Sequence, residues 1–200
     1  MRWKSMVVPV LSLFFIGAAL PARAQVTYSA QEANQPFTIG MGVSNFSDDW
    51  GIQNPRQVGI TLWVDWRVPN LPPLLDGLGI EFEGRDLNYA TPSYLPGHRM
   101  DTALGGPMYQ FRRRGRFRPY GKYLIGIGSI DFPSPGSTYN HDTRTVFQPG
   151  VGCDVRFWNS FSARAGYDYQ FWHQIFGPND LNPNGFTFGA VYDFGFRSSR

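Results

Sequence analysis

Cysteine occurs once in this chain, at Cys153. An intrachain disulfide is therefore excluded, and so is a metal centre built on several thiolates. Long apolar runs are also missing. The single candidate, Met6 to Leu20, is about 15 residues, short of the ~20 that a spanning helix needs. Net charge is missing too, once the N-terminal segment is set aside. Arg2, Lys4 and Arg23 are three of the 18 basic residues, and their loss leaves 15 bases against 15 acids. A chain without net charge has no global electrostatic pull on nucleic acid.

What the N-terminus does have is an export signal. Arg2 and Lys4 supply a positive start, the apolar run follows, and Ala22-Arg23-Ala24 forms an A-x-A cleavage site. The expected division is a signal peptide over 1–24, cleaved after Ala24, a periplasmic segment over 25–36, a membrane domain over 37–196 and a tail over 197–200. The remainder is rich in glycine (23 residues) and aromatics (16%).

Eight segments alternate with period 2, the signature of strands with one apolar face. They begin near Phe37, Val58, Leu78, Arg99, Phe117, Thr145, Phe161 and Phe186. The last is the clearest. Phe186, Phe188, Ala190, Tyr192, Phe194 and Phe196 fall on one face, and Thr187, Gly189, Val191, Asp193 and Gly195 on the other. Most segments are about 9 to 13 residues long, which suits a tilted strand crossing a bilayer. Connections alternate between long and short. The long ones are 46–57, 86–98, 131–144 and 173–185; the short ones include 112–116 and 158–160, and Pro72-Pro73 tightens 69–77. Short periplasmic turns opposite longer outer loops are the pattern of an up-and-down outer-membrane barrel. The expected fold is all-β: an eight-stranded antiparallel up-and-down transmembrane β-barrel in the cell outer membrane, with both termini periplasmic.

Charge placement agrees. With the apolar faces toward lipid, Asp65, Arg67, Glu81, Glu83, Arg85, Asp101, Lys122, Asp154, Arg156, Arg164, Asp168 and Asp193 point inward. A charge facing lipid at mid-bilayer costs roughly 2–4 kcal/mol, whereas inside a narrow barrel opposite charges pair. The cluster reads either as a salt-bridged plug or as a selective ion path. The soluble alternative, a lipocalin-like barrel, inverts the faces. Aromatics such as Trp66, Tyr167 and Phe194 share the aliphatic faces, which suits interfacial girdles.

Further residues carry a resemblance. Gly106-Pro107-Met108-Tyr109-Gln110-Phe111 precedes a basic turn, and Arg118-Pro119-Tyr120 opens the next strand. Gly150-Val151-Gly152 and Arg164-Ala165-Gly166-Tyr167-Asp168-Tyr169 follow. On these residues the chain resembles the outer-membrane β-barrel domain family, the small eight-stranded proteins similar to the barrel of OmpA and to OmpX and OmpW. The resemblance covers nearly all of the mature chain. It implies membrane insertion and a β-barrel, and no single activity. Thr187, Gly189, Tyr192 and Phe194 look like the terminal signal read by barrel-assembly machinery. Such chains often end on the aromatic, while this one continues through Gly195-Phe196 and Arg197 to Arg200.

The function expected is structural or surface-interacting, without catalysis or cofactor, with a narrow solute pore as the alternative and a lipid A-modifying hydrolase as a third. Small lipid A deacylases use a His, a nearby Ser and a Glu. His173 is placed for this, but Gln174 and Ile175 follow it, and no nucleophile stands beside it. His98 and His141 read as solvated loop histidines, and Asp48-Asp49 as a polar loop tip. Cys153 faces lipid as a small apolar residue. The basic turn Arg112 to Arg116 faces the periplasm, as a solvated turn or a contact for anionic headgroups or cell wall. Expected partners are outer-membrane lipid, lipopolysaccharide and the assembly machinery; nucleic acid is not among them, and the barrel is expected to be a monomer.

Overall fold

Glu81, Phe82 and Glu83 show how the alternation folds. The two glutamates are 0% and 4% exposed, and the phenylalanine between them is 60% exposed. No water-soluble fold puts its carboxylates inside and its phenylalanines outside, so this surface is made for lipid. The lipocalin-like reading fails here.

The computed structural model describes residues 37–49, 56–89, 97–132, 140–175 and 179–194. All of them fall within one compact unit, Gln31–Arg200. The signal segment 1–24, the segment 25–36, Gly195-Phe196 and the tail 197–200 lie outside the described residues, as do the loop stretches 50–55, 90–96, 133–139 and 176–178. None of the described residues is helical.

The strands are β1 (Phe37–Ser47), β2 (Arg56–Arg67), β3 (Leu78–Tyr89), β4 (Arg99–Gln110), β5 (Phe117–Phe132), β6 (Asn140–Arg156), β7 (Phe161–Tyr169), β8 (Phe171–Ile175), β9 (Asn179–Leu181) and β10 (Asn184–Asp193). β1 to β6 pair in sequence order, all antiparallel. β6 pairs β7 and then β8, and β8 pairs β9. β7 pairs β10, and β10 pairs β1 from Thr38↔Asp193 to Ser47↔Asn184, which closes the ring. β7 with β8 makes one stave and β9 with β10 another, so the barrel has eight. Pro183 lies at the break between β9 and β10, where it has no N–H to give the ladder. Gln170, at the facing break, still donates its own N–H to the Pro183 carbonyl at 2.7 Å.

The long connections and the face of one strand needed correction. β5 and β6 run on to Phe132 and from Asn140, so half of the connection expected over 131–144 is strand, and β8, β9 and the start of β10 take up much of the one expected over 173–185. The extension of β5 and β6 pairs Ser129 with Thr143 and Asp131 with His141. Beyond the bilayer both faces of a strand meet water, so the hydrophobic alternation that marks a strand disappears. The second correction is the face of β4. Thr102, Leu104 and Met108 are buried inside, while Asp101 lies outward, its carboxylate bound to Arg99 at 2.8 Å. Here the inner positions are apolar and the outer ones are small (Ala103, Gly105, Pro107), so hydropathy does not separate the faces.

Candidate functional site

The turns 68–77, 111–116 and 157–160 mark one end of the barrel, and the connections 48–55, 90–98 and 133–139 mark the other, the loop end. Nearest the turns, Arg67 donates to Gln110 Oε1 at 2.6 Å and Arg118 reaches the same oxygen at 3.4 Å. Arg156 lies 3.9 Å from Asp193.

The next level is centred on Arg164, supplied by β7. Its guanidinium binds Asp154 of β6 at 2.7 and 3.0 Å, Asp65 of β2 at 2.7 Å and Glu81 of β3 at 3.1 Å. It therefore crosses the bore instead of pairing only with a neighbouring strand. Its plane also lies over Tyr120, 4.6 Å from the ring centroid, and over Trp63 at 5.1 Å. A planar five-donor fork suits such multiple carboxylate contacts, and a lysine in its place would lose most of them.

One level higher, the ammonium of Lys122 contacts Glu83 at 2.5 Å, Glu81 at 2.7 Å and Asp168 at 3.3 Å. Arg85 binds Asp168 at 2.7 Å and Glu83 at 2.8 Å, and it stacks on Phe46 at 4.1 Å. Every inward charge proposed from the sequence except Asp101 thus lies in this lattice, and Arg118 joins it. Among the described residues this lattice holds six acids and six bases.

Neutral links that the sequence reading passed over complete it. Gln148 donates to Glu83 at 3.0 Å and accepts from Gln170 at 2.7 Å, and Ser44 bonds both Thr61 and Thr187. Gln148, Thr61 and Thr187 share the residue parity of a charged neighbour on their strands, and that parity is the signal that could have found them; β1, which carries Ser44, has no charged residue to give it.

Toward the loop end the interior turns apolar. Phe46, Leu87, Met100, Ile130, Val146 and Trp172 are buried in one cluster, with Leu104 and Leu124 beneath. The indole N–H of Trp172 donates to Gln170 at 2.9 Å, joining the two layers.

This architecture of lipid-facing aromatics around a paired, filled interior agrees with a family comparison. Residues 10–194 match the model of the outer membrane protein beta-barrel domain. The chain belongs to that family. Solved structures share its fold at low identity. Neisserial surface protein A superimposes with a TM-score of 0.66 at 12% identity, covering 80% of this chain and 97% of that one. OprG from Pseudomonas aeruginosa gives 0.54 at 13%, covering 79% and 95%. Ail, the attachment invasion locus protein of Yersinia pestis, gives 0.53 at 19%, covering 79% and 97%. A comparison with curated proteins finds no match.

In this outer membrane barrel the histidines behave differently from one another. His98, expected in solvent, is buried with Asp48: Nε2 lies 2.7 Å from Asp48 Oδ2, and Nδ1 lies 3.1 Å from the Asp131 carbonyl. The pair ties the ends of β1, β4 and β5 together above the apolar layer. Burial raises the Asp48 carboxyl above its ordinary value, and His98 offsets only part of that rise.

His173 is exposed and 3.4 Å from Asp180, and among the described residues no serine joins them. His141 meets Asp131 at 2.7 Å and Thr143 at 3.2 Å, and Ser129 Oγ lies 3.4 Å from both of its ring nitrogens. A hydroxyl equidistant from both nitrogens sits beside the ring edge, out of line with either lone pair, which is poor geometry for proton transfer.

In the closing strand, Thr187 faces inward and Gly189 packs against Trp63, where a Cβ would overlap the indole. Tyr192 and Phe194 face outward in an edge-to-face pair 4.9 Å apart. Cys153 lies on the outward face, half-buried.

Proposed function

We propose that this barrel has a structural or surface-interaction role in the outer membrane and performs no catalysis. The observation that carries this reading is that the bore is obstructed at successive levels. Arg164 and Lys122 bridge it with carboxylates from different strands, and the apolar cluster with Trp172 fills it above. The cavity at the turn end, lined by Thr38, Asp65, Arg67, Met108 and Gln110 among others, is about 10 Å³, room for roughly one water. An eight-stranded barrel is just wide enough for its side chains to fill it.

The second reading is a narrow pore, and the run of inward charges from Arg67 to Arg85 favours it. For ions to pass, the lattice and the apolar layer would both have to open.

The rest of the proposal follows the family. The precursor is exported and cleaved after Ala24, and Thr187, Gly189, Tyr192 and Phe194 act as the insertion signal for the assembly machinery. The mature barrel is a monomer whose lipid face meets outer-membrane lipid and lipopolysaccharide. Two fold relatives are called a surface protein and an attachment invasion locus protein, which supports looking for partners at the loop end. The deciding experiment is to refold the mature chain, establish closure by heat-modifiable gel mobility, and record from planar bilayers. A heat-shifted band without stepwise conductance is expected. Reproducible steps in current would replace this reading with the pore.

A further inference from the structure

We propose that the β4–β5 turn binds anionic phospholipid headgroups in the periplasmic leaflet. This rests on the family's membrane insertion and on the reading of the turn end as periplasmic.

Arg112, Arg114 and Arg116 are all exposed on this turn. The turn is tight. Arg114 and Phe117 exchange backbone hydrogen bonds at 2.8 and 3.1 Å, and Gly115 between them has φ 62. Three guanidinium groups are thereby held within a few residues, each able to make paired hydrogen bonds to a phosphate.

Their depth is set by the residues on either side. Phe111 and Phe117 flank the turn and face outward, and Phe157 and Trp158 are exposed on the neighbouring turn. The two turns are tied by the Arg156 N–H donating to the Arg116 carbonyl at 2.9 Å. Aromatics at the end of an apolar band sit at headgroup level. The arginines beside them are then level with lipid phosphates and are not projected into the periplasm.

The sign of the charge is particular to this end. Among the described residues of the three turns, Asp76 is the single exposed acid. At the loop end the balance reverses: Asp49, Asp86, Asp101, Asp131, Asp142 and Asp180 outnumber Arg56, Arg99 and Arg144. The loop stretches 50–55, 90–96, 133–139 and 176–178 contain no charged residue, so they do not alter that count. The barrel is thus positive where it meets the phospholipid leaflet, and the ligand that fits is a phosphodiester with net negative charge, such as phosphatidylglycerol, over a zwitterionic one.

The test uses the refolded mature protein in phosphatidylcholine vesicles doped with spin-labelled phosphatidylglycerol or spin-labelled phosphatidylcholine. The wild type should hold the anionic probe about fivefold more strongly than the zwitterionic one, the effect of one basic residue engaging each bound headgroup. Molar salt should abolish that ratio. The variant Arg112→Gln/Arg114→Gln/Arg116→Gln should bring the ratio close to one while keeping its heat-modifiable band, and the corresponding Lys variant should retain most of it.

Equal retention of both probes by the wild type would overturn the proposal, as would an undiminished ratio in the Gln variant. Arg-dependent sedimentation with purified peptidoglycan, without any lipid preference, would move the contact to the cell wall and also overturn it. The salt series needs the wild type alone, so the proposal stays testable if the variant fails to insert. None of these readouts depends on conductance.

Discussion

Arg164 is the residue on which most depends. Removing one partner from a buried ionic cluster costs roughly 3–5 kcal/mol, because the charges left behind are unpaired. Arg164→Met strands Asp65, Asp154 and part of Glu81. It should lower unfolding stability in lipid by about that amount, read from urea titration of tryptophan fluorescence. Arg164→Lys should recover only part of the loss, since an ammonium has no planar fork. The Asp48–His98 pair supports a prediction with pH. Burial raises the Asp48 pKa from its ordinary 3.8, so the folded chain keeps a proton that the unfolded chain releases. The contribution of Asp48 to stability is therefore full below about pH 4 and fades as the pH climbs through its folded value. Asp48→Asn cannot titrate, so the margin of the wild type over this variant should narrow as the pH rises from 4. A margin that widens would mean the carboxylate form is the favoured one in the fold. His98→Ala should cost about 1–3 kcal/mol, by leaving the buried Asp48 carboxyl without its hydrogen-bond partner.

Among the elements, β8 is the one held most irregularly. It leaves the line of β7 at Gln170, meets β6 at Val146↔Trp172 and Phe147↔Phe171, and lays the buried Trp172 ring past β6 against β5. Gly128 is what lets it in, for a Cβ there would overlap the Trp172 ring. Gly128→Ala should displace the indole and cost about 1–3 kcal/mol, visible as a red shift in tryptophan emission; an unchanged spectrum with unchanged stability would show that β8 yields without cost. The strands themselves were largely legible, because lipid outside and charge inside impose a strict period on each one. Legibility ended where that contrast ended. Above the bilayer, β5 and β6 continue through Ser129, Asp131, His141 and Thr143 with polar residues on both faces, so the pattern reads as loop. In β4 both faces are weakly apolar, and Asp101 was placed on the wrong one. The apolar layer was hidden for the same reason: Leu124 and Val146 share parity with Lys122 and Gln148, and a leucine beside a lysine gives no period. His98 was read as solvated, since its partner Asp48 lies 50 residues away and only closure brings them together.

For the whole molecule, two layers in series make a specific claim about permeation. Lys122→Ala removes an ammonium from the lattice, but Phe46, Leu87, Met100, Ile130, Val146 and Trp172 still fill the bore above it. The variant should remain without stepwise conductance in planar bilayers, and only a variant that also shortens Trp172 should leak. Current through Lys122→Ala alone would mean that the apolar layer is not a barrier. The separation of charge between the two ends was present in the sequence but became legible only after the strands had sorted residues to one end or the other. One further consequence lies in the seam between β1 and β10. Thr38 and Asp193 are about 150 residues apart in the chain, yet they are neighbours in the ring. The first strand to be exported therefore waits for the last, carrying an open edge of unsatisfied amides that bilayer hydrocarbon does not tolerate. A chain truncated before Asn184 can never seal. Completion of the barrel is in this sense a proofreading step: only a polypeptide delivered whole can seal its ring within the membrane.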